Sequence, residues 1–180
     1  MKNILVFTLL LLLMSCGTTS SRYDLPPLKT VESVDINRYL GTWYEIAAFP
    51  QWFQLDCTGT TATYSLLDDG SIQVVNKCHK KTLDGRVNKA VGRARVVDVK
   101  SNAKLEVSFF GPVWGDYWII DLGADYEYAV VGHPSRDYLW ILSRTPNMDE
   151  ALYEEILERL RVQHYPLDRL QRTVQPSQNP

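Results

Sequence analysis

The residues best suited to chemistry in this 180-residue chain are three cysteines and three histidines. His79, His133 and His164 are scattered, and neither a Cys-x-x-Cys nor a His-x-x-x-His spacing occurs, so we predict no metal site and no cofactor. Cys57 and Cys78 form an even pair, which favours a disulfide if the domain folds in an oxidising compartment. The alternative is a free thiol that faces a pocket and acts as a nucleophile.

The N-terminus, MKNILVFTLLLLLMSC, is typical of an export signal. Lys2 gives it a positive start, and residues 4–13 form an apolar run too short to span a bilayer. The ending LMSC resembles a bacterial lipobox, which implies cleavage before Cys16 and acylation of its thiol; the alternative is a plain signal peptide with an incidental cysteine. Acyl chains on Cys16 would anchor the protein, and Gly17, where an Asp would suggest the inner membrane, favours the periplasmic face of the outer membrane.

The chain divides into four parts by composition. Residues 1–15 are the predicted signal peptide, and residues 16–33, rich in Ser, Thr and Pro, are a predicted flexible tether. Residues 34–175 form one predicted domain, followed by a tail at 176–180. The formal net charge is −2 and the basic residues are dispersed, so nucleic acid is excluded as a partner.

From residue 42 to residue 144, short β segments alternate with turn signals such as the Asp-Gly pairs at 69–70 and 84–85. No helical pattern interrupts these eight segments, which excludes an alternating βαβ architecture. We therefore predict an all-β fold of eight antiparallel strands, either an up-and-down barrel or a sandwich. A barrel of eight strands is wide enough to hold one small ligand.

After the strands, the apolar period changes to that of a helix. Leu152, Ile156 and Leu160 recur at every fourth position, which predicts one amphipathic α-helix. Asn147 is the predicted N-cap, with Glu150 three residues later as in a capping box. The apolar stripe must pack against another element, and we expect that to be the outside of the barrel.

Eight strands followed by one helix, opened by GTWYEI and closed by DYLWILSRTP, resemble the lipocalin family over residues 34–174. Three motifs carry the resemblance: Gly41 with Trp43, SRDYLW at 135–140, and Arg144. With the lipobox, the chain looks like the bacterial outer-membrane lipocalins. The resemblance implies an up-and-down barrel with the helix packed outside, and a closed end where Arg144 stacks on Trp43 and Gly41 allows a tight turn.

Side-chain alternation then selects the candidate ligand-binding residues. If Arg144 points to the barrel axis, Tyr138 and Trp140 share its face and line the cavity. The same alternation in the other strands adds aromatic walls with a few polar tips, as ligand pockets have. The predicted ligand-binding residues are Tyr64, Asn76, Phe109, Tyr117, Tyr128, Tyr138 and Trp140. The predicted lid or membrane-facing rim, in the loop that the family places at the open mouth, is Phe49, Trp52 and Phe53.

The resemblance implies a non-enzymatic protein that binds, stores or transports fatty acids or lysophospholipids at the outer membrane, in envelope maintenance or stress; a homodimer is a further expectation. Three alternatives stay open: an enzyme with Cys57 or Cys78 as a pocket thiolate, a haem or pigment carrier with His79 or His133 pointing inward, and an envelope protein with a filled core. Simple hairpin pairing sets Thr60 opposite Cys78 and leaves Cys57 three residues out of register, so the predicted disulfide requires a bulge.

Overall fold

A computed structural model describes residues 25–176 of the chain, and their main element is a closed barrel of eight antiparallel strands. The strands are β1 (Gly41–Ala48), β2 (Cys57–Leu66), β3 (Ile72–Lys80), β4 (Val87–Val96), β5 (Lys104–Phe110), β6 (Val113–Leu122), β7 (Tyr128–Gly132) and β8 (Leu139–Ser143), with a short β9 (Gln171–Arg172). The helices are α1 (Ile36–Tyr39) and α2 (Glu150–Val162), with 3₁₀ turns at Trp52–Gln54 and Leu167–Arg169. The predicted signal peptide and the lipidation site at Cys16 lie outside the described residues.

The barrel is up-and-down, as predicted. Each strand pairs with the next one along the chain, and β1 pairs with both β8 and β2, which closes the barrel. Closure satisfies the backbone groups that an open sheet would expose at its edges. The prediction of an all-β, eight-stranded barrel with one helix packed on its outside is confirmed.

Two apolar layers hold the fold together, because neighbouring residues of a strand face opposite sides. In β8, Leu142 packs inside the barrel and Ile141 packs outside it. The outer layer lies under α2, where Ile156 is fully buried and Leu160 is nearly so. Each such side chain contributes roughly 1.5–3 kcal/mol by leaving water. The helix therefore covers an outer barrel face that would otherwise be apolar and exposed.

The N-cap of α2 is Asp149, so the prediction of Asn147 is wrong. The Asp149 carboxylate accepts a hydrogen bond from the Leu152 amide at 3.1 Å. Asn147 lies in the turn before the helix, where its carbonyl accepts from the Thr145 hydroxyl at 2.6 Å. The chain takes this turn before the helical hydrogen bonds begin, which moves the cap two residues onward.

The segment before α1 lies against the barrel. The Leu28 side chain is buried in the outer layer, and the Val31 amide donates to the Ile119 carbonyl at 3.1 Å. Arg136 donates to the Pro26 carbonyl at 2.7 Å. Residues 26–31 therefore pack against the barrel, although the sequence assigned them to the tether.

The alternating strand directions give the barrel two different ends. The end at which β1 starts is crossed by α1, which places Tyr39 in the barrel core. The other end carries the connections 49–56, 81–86, 111–112 and 133–138. We call the first the closed end and the second the open end.

Candidate ligand-binding site

The closed end is sealed by Trp43 and Arg144. Trp43 has no exposed surface, and its indole N–H donates to the Tyr39 carbonyl at 2.9 Å. The guanidinium of Arg144 lies 3.7 Å from the ring centroid and donates to the carbonyl oxygens of Thr42 and Arg38 at 3.1 and 2.6 Å. Gly41 has φ = 94°, and a Cβ there would lie 3.3 Å from Arg144, so glycine serves both the turn and the close approach. These contacts make Trp43 a plug rather than a ligand platform.

Above this plug, three tyrosine hydroxyls form a chain across the lower barrel. The Tyr117 hydroxyl lies 2.7 Å from that of Tyr39 and 2.9 Å from that of Tyr64. Burial raises the pKa of all three phenols, that of Tyr64 to about 12, so they stay neutral and bond to one another. Tyr64 and Tyr117, both predicted as ligand residues, thus form the polar floor of the interior.

The upper interior wall is open to solvent. Asn76 of β3 pairs with Ala90 of β4, and both face inward by alternation from the buried Val74 and Ala94. Ala90 is nevertheless exposed and Asn76 only half-buried. Inward-facing residues of β3 and β4 therefore contact solvent towards the open end of the barrel.

Aromatic residues line part of this open region. Phe109 and Trp140 are partly buried and pack against the inner core. Tyr138, just before β8 at the open end, is 37% exposed and stacks on Trp140 with ring centroids 6.1 Å apart. The structure thus brings Asn76, Phe109, Tyr138 and Trp140 to the upper interior and its mouth.

A buried carboxylate lies on the inner wall beneath the loop that follows β1. Glu45 is 6% exposed; its carboxylate accepts from the Gln54 amide and, at 2.6 Å, from the Thr173 hydroxyl. Gln54 in turn accepts from the Trp140 indole N–H at 3.4 Å. Burial raises the pKa of Glu45, because ionising it there costs solvation. The sequence analysis missed Glu45, although its position two residues after Trp43 places it on the same inward face.

The open end carries exposed apolar residues. Trp52 and Phe53 are 76% and 43% exposed, and they contact each other edge to face at 5.6 Å. Phe110, the last residue of β5, and Val113, the first of β6, flank the tight connection between the two strands and are each 71% exposed. We call these four residues the rim; its second half was not predicted.

Two predicted site residues lie elsewhere. Phe49 is 1% exposed and packs in the outer layer against Tyr165 and Arg169, so its assignment to the rim is wrong. A register shift in β1 between Glu45 and Ala47 reverses the alternation of the strand, so Ala47 and Phe49 face outward.

Tyr128 is also in the outer layer rather than in the ligand wall. It pairs with Ser143 of β8, and cross-strand partners share a face. Its hydroxyl contacts Asp121 at 3.2 Å and Arg159 of α2 at 3.1 Å. Its inward assignment is therefore wrong, because the alternation in β7 begins one residue out of step with the assumed one.

The predicted disulfide between Cys57 and Cys78 is present, with Cα atoms 5.4 Å apart. The required bulge lies between Thr58 and Thr61, and Gly59 adopts φ = 57° within it. With both sulfurs bonded, neither is the free thiolate of the enzyme alternative.

His79 and His133 do not face the interior: His79 Nδ1 lies 3.1 Å from the Gly85 carbonyl oxygen, and His133 contacts Ser135 in an open-end connection.

A crevice of about 360 Å³ lies on the outer wall where β4 and β5 part. Only Arg93–Val96 of β4 pair with β5, so residues 87–92 have no partner strand on that side among the described elements. Phe109 borders this crevice and packs over Gly92, where an added Cβ would lie 2.7 Å from the ring. Phe109 therefore lies both in the inner wall and beside this gap.

In the described part of the chain, no helix is long and apolar enough to cross a membrane, and no three His, Cys, Asp or Glu side chains group as metal ligands do.

A barrel plugged at one end, open at the other and partly lined by aromatic residues defines a calyx-type binding protein. The chain belongs to the lipocalin family: residues 34–175 match the lipocalin-like domain.

Relatives and solved structures agree with this assignment. The chain is 40% identical to temperature-induced lipocalin-1 of Arabidopsis thaliana over 162 residues, which cover 85% of this chain and 86% of that protein. It is 45% identical to outer membrane lipoprotein Blc of Escherichia coli (strain K12) over 134 residues, 73% of this chain and 75% of the relative. Insecticyanin of Manduca sexta shares the fold, with a TM-score of 0.67 at 21% identity over 86% of this chain and 87% of its own.

Proposed function

We propose that this lipocalin binds a single-chain lipid, a fatty acid or lysophospholipid, in the upper barrel and carries or stores it at the outer membrane. The observation that supports this most is the solvent contact of inward-facing residues above the tyrosine floor, where Asn76 is half-buried and Ala90 is exposed. Phe109 and Trp140 offer apolar walls to an acyl chain, while polar groups lie beside them. Apolar cavities with a few polar groups are the usual form of ligand sites.

The rim supports a location next to a membrane. Trp52, Phe53, Phe110 and Val113 surround the open end with exposed apolar surface, which is costly in water and favourable at a lipid interface. In this proposal, acylated Cys16 holds the protein at the periplasmic face of the outer membrane, and the rim directs the open end to the lipids. The relatives named outer membrane lipoproteins support this placement.

Native mass spectrometry of the full-length protein, gently extracted from the envelope, tests the proposal. We expect one bound single-chain lipid per protein, or uptake of one added palmitoyl lysophospholipid. Ala90→Trp should block binding because the indole would fill the upper interior. Val91→Trp is the matched control, since Val91 is the next residue and its exposed side chain faces outward.

Two outcomes would refute the proposal. One is a protein that neither carries nor takes up lipid, as the filled-core alternative requires. The other is equal lipid uptake by the two tryptophan variants, which would place the ligand outside the barrel.

A further inference from the structure

The hairpin of β3 and β4 concentrates positive charge on one side of the barrel. Residues 72–96 contain seven basic residues and one acidic residue, whereas the whole chain has 19 basic and 21 acidic residues. The strands β2, β3 and β4 contain no Asp or Glu. One side of the barrel is therefore strongly basic, although the formal net charge of the protein is −2.

Three of these seven cations are engaged within the fold. Arg93 and Arg95 form ion pairs with carboxylates, and the Lys80 ammonium donates to a backbone carbonyl at 2.6 Å. The other four are exposed and form no salt bridge with a described residue: Lys77, Lys81, Arg86 and Lys89. We call these four residues the basic patch.

Two members of the basic patch lie directly opposite each other. Lys77 of β3 and Lys89 of β4 are cross-strand partners. Both face outward, because each is an odd number of residues from an inward-facing residue of its own strand, Val74 or Ala94. Like charges at opposed positions of two antiparallel strands destabilise the sheet. An anion placed between the two ammonium groups would remove this repulsion.

Protection of a strand edge accounts for only one residue of the basic patch. Residues 87–92 of β4 have no partner strand on the β5 side among the described elements, and a lysine on such an edge hinders pairing with another chain. Lys89 fits that role. Lys77 does not, because β3 is paired on both sides, and Lys81 and Arg86 lie in the open-end connection.

The basic patch adjoins the rim. One half of the rim lies on the β1–β2 connection and the other flanks the β5–β6 connection, and the β3–β4 connection with Lys81 and Arg86 lies between them. Val87 and Val91, 55% and 51% exposed, flank Lys89 on the outward face of β4. Cations beside exposed apolar side chains are typical of surfaces that bind anionic membranes.

We propose that the basic patch and the rim together bind a bilayer surface that contains anionic phospholipid, whose phosphates neutralise the four cations. The inference rests on the proposed function, which places the open end at a membrane, and it defines the head-group charge of that membrane. The adjoining rim favours a lipid surface over an acidic protein. Because the charge lies on one side only, the barrel approaches the bilayer tilted, with β3 and β4 on the membrane side.

Co-sedimentation with vesicles tests the proposal on a soluble form that begins at residue 17, which keeps all described residues and lacks the acyl anchor. The vesicles are phosphatidylcholine alone or phosphatidylcholine with about one third phosphatidylglycerol. At low ionic strength we expect the anionic vesicles to bind about tenfold or more tighter, since each basic residue near an anionic bilayer contributes a factor of about five. About 0.5 M NaCl should abolish the difference.

A double variant identifies the basic patch as the source of the preference. Lys77→Gln with Lys89→Gln should weaken binding to anionic vesicles by about tenfold or more and leave binding to neutral vesicles unchanged. Lys29→Gln with Lys100→Gln, exposed lysines outside the patch, is the matched control of equal charge and should bind nearly like wild type. Thermal unfolding without vesicles establishes folding, and the first variant should be at least as stable as wild type because it loses a like-charge pair.

The outcomes separate this inference from the proposed function. Equal binding to neutral and anionic vesicles, or equal losses in the two double variants, overturns the basic patch and leaves the rim and lipid binding intact. Absence of binding to either kind of vesicle overturns the basic patch and also the placement of the open end at a membrane. Lipid uptake into the barrel is measured separately by native mass spectrometry, where Lys77→Gln with Lys89→Gln should behave like wild type.

Discussion

Replacing Trp43 by alanine should unfold or nearly unfold the barrel, whereas Trp140→Ala should mainly weaken ligand binding. Trp43 is fully buried, so truncation removes a large core side chain at a cost of about 3–5 kcal/mol. The Arg144 stack adds about 0.5–2 kcal/mol, and the indole hydrogen bond to Tyr39 about 1 kcal/mol. The sum, about 5 kcal/mol or more, is comparable to the whole stability of many domains, about 5–15 kcal/mol.

Trp140 is the matched comparison, because it is the same residue type on the same inner face. It is only partly buried, and its indole bond to Gln54 is long at 3.4 Å. We therefore expect Trp140→Ala to cost about 1–2 kcal/mol, below the value for full burial of a large side chain.

The assay is urea unfolding at 25 °C followed by far-ultraviolet circular dichroism, with lysophospholipid binding measured on whichever variants fold. The reasoning predicts a difference of several kcal/mol between the variants and loss of affinity in Trp140→Ala. Equal losses of stability, or a Trp43→Ala protein that is stable and defective only in binding, would refute the division into plug and wall.

Three further predictions follow from individual contacts. Replacing both Cys57 and Cys78 by alanine should lower the free energy of unfolding in urea by about 3 kcal/mol, as expected for a bridge that closes a loop of this length; an unchanged value would contradict it. Burial raises the pKa of Glu45 above its ordinary value of about 4.3, so the contribution of this group to stability is full below about pH 4.3 and is lost as the pH rises through the folded-state pKa. Glu45→Gln should therefore gain stability relative to wild type as the pH rises from about 4 to about 8 in urea titrations. A stability difference that does not change with pH would contradict this prediction. A soluble form beginning at residue 17 should show a blue shift of tryptophan emission on adding phospholipid vesicles, lost in Trp52→Phe; a shift that persists in that variant would remove the rim from the account.

The fold was predictable because its signals are local. Turn residues separate eight strands, and the helical period appears only once, after them. The plug was predictable from motifs whose physical partners, Trp43 and Arg144, meet in the structure at 3.7 Å.

The candidate site was less predictable because it depends on which face each residue occupies. One register shift in β1 turns Phe49 outward, and no residue type or spacing in the sequence indicates that shift. Tyr128 was misplaced because β7 had no anchored partner; its pairing with Ser143 fixes its face. The inward position of Glu45 could have been predicted from the same side-chain alternation that places Trp43 inside the barrel. Its hydrogen-bond partner Thr173 comes from a distant segment, which no local pattern reveals.

The most direct test of the central claim is tryptophan quenching by a lysophospholipid brominated along its acyl chain. If the chain lies in the upper barrel, quenching saturates at one ligand per protein, and its amplitude falls in Trp140→Phe. In the control Trp118→Phe it should be unchanged, because Trp118 packs in the outer layer. Quenching that is absent, or that is the same in both variants, would contradict a ligand inside the barrel.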